Sequence, residues 1–156
     1  MSTMIFVNLT VADLQRSTDF FRALGYSFDP RFTDENAACL VIDENHIYAM
    51  LMAPDMMRRF TRKQIVDARE GTEAILALSA DSREAVDVLV DKALLSGGSM
   101  SNPPDDQGYM YSRSFQDPDG HLWEVLWMDV AAMEDAAEQE ALLAAQQAAR
   151  SSDVQK

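Results

Sequence analysis

Phe6-Val7-Asn8-Leu9-Thr10 near the start of the chain and Ile75-Leu76-Ala77-Leu78-Ser79 near its middle decide the fold. Each is a short alternating run that leads directly into a segment with helical spacing. In the first, Ile5, Val7, Leu9 and Val11 share one face of a strand, and Phe6, Asn8 and Thr10 share the other. Asp13 can cap the helix that follows, which carries Phe20, Phe21 and Leu24 and closes at Gly25. After the second run, Ser82 and Glu84 open a helix carrying Val86, Leu89, Val90, Ala93 and Leu94. Gly97-Gly98 stops it.

The repeat extends outward from these two points. The first helix precedes a short strand near Tyr26–Phe28 and two apolar runs, 37–42 and 47–52, that turn at Asp43-Glu44-Asn45. The second precedes a loop over 102–106, a strand over 109–115, the turn Asp117-Pro118-Asp119-Gly120 and a last strand over 122–128. Asn45-His46-Ile47-Tyr48-Ala49 lies over Gly120-His121-Leu122-Trp123-Glu124. Two βαβββ modules are therefore expected, at about 4–53 and 73–129, joined by a linker over 54–72. This α+β domain of residues 1–129 is followed by a tail, 130–156, rich in Ala, Glu and Gln and expected to be helical or partly disordered.

Composition narrows the function. The 156 residues hold 26 acidic and 13 basic side chains, a net charge of -13. That balance argues against nucleic acid, whose affinity comes largely from Lys and Arg on phosphates, and against anionic membranes. Cys39 is the lone cysteine and sits in an apolar run, so it reads as a small core residue rather than a nucleophile. No apolar stretch is long enough to span a membrane, and the N-terminus lacks the signal-peptide pattern. A cytoplasmic, soluble protein is expected. Arg58, Arg59, Arg62, Lys63 and Arg69 give the linker a basic excess, read as a solvated face.

Val11-Ala12-Asp13-Leu14-Gln15-Arg16-Ser17, with Phe20-Phe21 and Leu24-Gly25-Tyr26, resembles the opening of glyoxalase/bleomycin-resistance/dioxygenase proteins. These form the vicinal-oxygen-chelate superfamily. Asp117-Pro118-Asp119-Gly120-His121-Leu122-Trp123-Glu124 is similar to the turn and last strand of their second module. The resemblance spans about residues 4–129. It implies curved mixed sheets around a shared cavity and commonly a homodimer. It also implies a metal ion held by His and Glu from the first and last strands of each module, acting as a Lewis acid. Carried over position by position, the ligand sites fall on Phe6, Ala49, Ile75 and Glu124. Three of the four lack a donor atom; Glu124 alone retains one. A slip of one residue would present Asn8 or Met50. No metal and no cofactor is expected, and His46 and His121 read as turn caps rather than ligands.

The cavity is expected to be lined by Phe6, Asn8, Ile75, Ala77, Ser114 and Leu122, with Thr10, Ser79 and Leu126 on the same faces. Either Ser112 and Ser114, or Tyr109, Tyr111 and Arg113, turn inward; the sequence is compatible with both. Such a mostly apolar lining suits a small organic ligand. Glu124 is the candidate catalytic acid or base, or else pairs with Arg113 or meets solvent. The leading expectation is a metal-independent small-molecule-binding protein. The alternatives are a lyase or dioxygenase, metal-dependent or using Glu124, and an interaction module that recruits a partner through the tail.

Overall fold

The computed structural model describes residues 2–153, so the last three residues of the expected tail lie outside it. The first module runs β1 (Ile5–Thr10), α1 (Leu14–Ala23), β2 (Ser27–Asp29), β3 (Ala37–Asp43) and β4 (Ile47–Met52). A short helix α2 (Pro54–Met57) opens the linker. The second runs β5 (Ile75–Ser79), α3 (Arg83–Leu95), β6 (Ser99–Met100), β7 (Asp105–Asp106), β8 (Met110–Gln116) and β9 (Leu122–Met128). Both helices begin as their sequences dictate: Asp13 accepts from the Arg16 amide at 3.0 Å and Ser82 from the Ala85 amide at 3.1 Å.

Two mixed sheets result, ordered β1-β4-β3-β2 and β5-β9-β8-β6, with β7 added on β8. The second module's missing strand is supplied by β6, two residues long and too short to show an alternating pattern. In each module the first and last strands pair in parallel. Phe6 lies opposite Tyr48 and Asn8 opposite Met50; Ile75 lies opposite Leu122 and Ala77 opposite Glu124. The counterpart of Glu124 is therefore Met50, and the sequence alignment that placed Ala49 there is corrected by one residue. Ala49 faces Val7 and is fully buried beneath α1. The two histidines used as the ruler lie in turns, whose lengths vary, whereas a one-residue slip in a strand turns every side chain to the other face.

The helices lie on one face of each sheet and against each other, α1 over β3 and β4, α3 over β8 and β9. A single core joins the modules. Phe21 meets Trp123 edge-on at 5.2 Å and Phe20 meets Phe115 at 6.1 Å, so aromatic side chains from the first helix insert against the second sheet. On β8, Tyr111 and Arg113 turn toward α3. Tyr111 donates to Asp87 at 2.8 Å, and Arg113 donates to Asp87 at 2.8 Å and Asp91 at 2.9 Å. Ser112 and Ser114 consequently share the helix-free face with Glu124. The proposed Arg113–Glu124 pair does not form, because α3 holds the arginine on the opposite face.

The tail forms α4 (Val130–Asp153), started by Asp129, which accepts from the Ala132 amide at 3.0 Å. Leu142 and Leu143 are exposed along it. No helix among the described residues is long and apolar enough to cross a membrane.

Candidate functional site

The module junction is built around the turn over 117–120. The Asp119 carboxylate reaches across to the start of α1, accepting from the Ala12 amide at 2.8 Å, Arg16 Nη2 at 3.0 Å and buried Ser17 Oγ at 3.0 Å. One residue thus caps the first module from the second. Asp117 is buried and accepts from Trp123 Nε1 at 3.1 Å and from the Asp119 and His121 amides. Burial pushes its carboxyl above the ordinary range, against the opposing pull of His121 and these donors. His121 is no surface cap: its Nε2 lies 2.7 Å from the Thr10 carbonyl oxygen, tying β9 to the end of β1. His46 does sit in an exposed turn, with Nδ1 3.4 Å from Asp43.

Gly120 is required twice over. Its φ is +90°, and a Cβ there would meet the Arg69 backbone nitrogen at 2.9 Å. The linker therefore lies directly on this turn. The carboxylate of Asp67, paired with the Arg69 guanidinium, is pulled down to about 2.

Between β1, the linker and the start of β9 is a cavity of about 610 Å³. Its walls include Asn8 and Thr10 from β1, Ile65 and Val66 from the linker, and Leu76 and Leu122 from the second module. Lys63, Gln64 and His121 add polar groups. Of the residues expected to line a shared cavity, Asn8, Thr10 and Leu122 do so. Phe6, Ile75, Ala77, Ser114 and Glu124 lie outside it, on the helix-free faces of the two sheets. Phe6 stacks on Tyr48 with ring centroids 4.8 Å apart yet remains 43% exposed, and Ile75 is 55% exposed. Within one chain these two faces do not close on each other. The linker's part in the cavity was missed by sequence reasoning, although Ile65-Val66, an apolar pair in a polar segment, was its signal.

Cys39 is buried on β3, and burial raises its thiol above the usual range, the state of an inert core cysteine. Glu124 is half-buried and has no hydrogen-bond or ion-pair partner among the described residues. It stands opposite Ala77 on one side and Ser114 on the other.

The sequence profile of the Glyoxalase/Bleomycin resistance protein/Dioxygenase superfamily matches residues 3–125. The chain belongs to this superfamily. Among solved structures, a hypothetical protein from S. aureus is 24% identical, with a TM-score of 0.68 over 81% of this chain and 94% of its own. A glyoxalase/bleomycin resistance protein/dioxygenase family enzyme from Burkholderia phytofirmans PsJN is 19% identical, with a TM-score of 0.66 over 82% of this chain and 100% of its own. The fosfomycin resistance protein FosX from Listeria monocytogenes, complexed with Mn(II) and sulfate, is 21% identical, with a TM-score of 0.60 over 83% of this chain and 92% of its own. At these identities the likeness is one of fold. No curated protein matches.

The superfamily frame implies a metal, and the residues present can be tested against it. With the register corrected, the four positions are Phe6, Met50, Ile75 and Glu124. One carboxylate and one soft thioether do not make the set of oxygen and nitrogen donors that a divalent ion of this kind needs. Among the described residues no three His, Cys, Asp or Glu side chains gather in a group that could hold a metal. The donor set does not fit, so no chemistry is routed through a metal here.

Proposed function

We propose that this member of the superfamily is a metal-independent small-molecule-binding protein that acts as a homodimer. The observation that carries this reading is the cavity of about 610 Å³ at the module junction. Pockets of roughly 300–1,000 Å³, mostly apolar with a few placed polar groups, are the usual size and character of small-ligand sites. The ligand would pack against Ile65, Leu76 and Leu122 and be oriented by Asn8, Gln64 and Lys63. The homodimer is supported by the exposed apolar residues on the first strands of both modules, Ile5 at 54%, Phe6 at 43% and Ile75 at 55%. A second copy laid on these strands would bury them and bring one module's Phe6–Tyr48 face to the other's Glu124 face.

The test combines elemental analysis with a thermal-shift screen of small organic compounds. The reading expects no stoichiometric metal after purification without chelator, and compounds that raise the melting temperature of the wild type. Leu122→Trp, which fills the cavity, should abolish that shift while leaving secondary structure intact. A stoichiometric metal, or binding unaffected by the blocked cavity, overturns it. Glu124 supports the enzyme alternative, because a half-buried carboxylate with no partner is free to move a proton. Turnover of a bound compound that disappears in Glu124→Gln, with binding retained, would move that alternative forward.

A further inference from the structure

We propose that α4 docks along the basic linker of a second copy of the chain, its Glu134 and Glu138 meeting Arg59, Arg62 and Lys63. Leu142 then lies beside Phe60. The helix is an addition to the family frame: the profile match ends at residue 125, and the Burkholderia structure is covered completely by 82% of this chain. At 24 residues it spans roughly 36 Å. Only Ala132 and Ala136 are half-buried; every other residue described from 130 to 152 is exposed.

The surface this helix presents is patterned. Glu134, Glu138 and Leu142 recur every four residues, which places them on one face. Two carboxylates at that spacing repel each other, and no Lys or Arg of the helix stands three or four residues from either. A helix exposed only to water gains from interspersed cations. A basic surface outside the helix would relieve this repulsion.

Every copy carries that charge. Four of the 13 Lys and Arg residues fall within 58–63. Most other cations are committed: Arg16, Arg22, Arg31, Arg58, Arg69, Arg83 and Arg113 each hold an acidic partner. Arg59, Arg62 and Lys63 hold none among the described residues and stand within five positions of one another. Phe60, between them, is 62% exposed, matching Leu142 at 63%. Both surfaces therefore pair carboxylates or guanidinium groups with one bare apolar side chain. In its own chain α4 makes no extensive contact with another described element, so the linker assigned to it is that of a second copy. Around a two-fold axis the contact forms twice, each chain giving a helix and receiving one. Since Lys63 also lines the cavity, the docked helix lies along the cavity's linker wall.

The test uses the full-length chain, mixed one to one as isotopically labelled and unlabelled protein and treated with a zero-length carbodiimide. Lys63 should couple to Glu134 or Glu138 in pairs of mixed mass, and roughly 0.5 M salt should suppress the product by screening. Glu134→Arg with Glu138→Arg should raise the dimer dissociation constant at low salt at least about tenfold, since several exposed pairs act together. Adding Arg59→Glu and Arg62→Glu should restore it, with helix content checked by circular dichroism. Coupling confined to one chain, a monomer at low salt, or association untouched by charge reversal overturns the proposal. Docking of α4 on a different protein instead would appear as that last outcome.

Discussion

The two modules share a frame and differ in what they place on it. At equivalent positions the first module has Phe6 with Tyr48 and Asn8 with Met50, while the second has Ile75 with Leu122 and Ala77 with Glu124. On the first module's helix-free face Cys39, Tyr48 and Met52 are buried, while Phe6 remains exposed. The second's mixes Ser112, Ser114, Gln116 and Glu124 with Ile75, Leu122 and Leu126. The asymmetry reverses on the helix side. Ala49 and Trp123 hold the same position, opposite Val7 and Leu76, and both are buried. The small residue lies under a helix that carries two phenylalanines, and the large one meets the Phe21 ring of that helix. A duplicated frame thus keeps its backbone register while volume is traded across the junction, because the core is close-packed as one unit.

Substitution at this shared position is the harshest way to break that comparison. Trp123→Ala should destabilise the chain by about 3–5 kcal/mol, since it opens a cavity and strips Asp117 of a donor. Chemical denaturation followed by far-ultraviolet circular dichroism measures this. A loss below about 1 kcal/mol would show that the modules do not share one core.

A smaller effect is expected at the polar clasp. Asp119→Ala removes the acceptor of the Ala12 amide and of buried Ser17 Oγ, costing about 1–3 kcal/mol for the groups left unpaired. Asp119→Asn keeps an acceptor and should lose less. Hydrogen exchange at the start of α1 should rise selectively in the Ala variant; uniform exchange across both modules would mean that the turn does not act as a clasp.

The smallest effect separates surface from core. Asp67 and Asp106 are held at about 2 by Arg69 and Arg83, well below their ordinary range. The unfolded chain then binds more protons than the folded one as pH falls from about 4 toward 2, so stability should drop through that window. Both carboxylates are exposed and screened, so the change is small and should shrink further in high salt. An acid series of melting temperatures on Asp106→Asn, set beside the wild type, reads it. Identical slopes would remove this pair from the account.

The sequence by itself determined the duplicated βαβββ order, the helix starts at Asp13 and Ser82, and the helical tail. These rest on local signals: side-chain alternation, capping residues and the breaks at Gly25 and Gly97-Gly98. Alternation also put Phe6, Asn8 and Thr10 together on one face of β1, but not what that face meets. Tertiary structure alone decided the rest. The residue opposite Asn8 became Met50 because parallel pairing, not a histidine in a turn, fixes register. Arg113 was committed to Asp87 and Asp91 because α3 lies on its side of β8, a fact written in no short stretch of chain. Asp119, His121 and the linker became a module junction because residues more than 50 positions apart were brought within hydrogen-bonding or packing distance. Spacing along a chain reports which face a side chain takes; only packing reports what stands across from it.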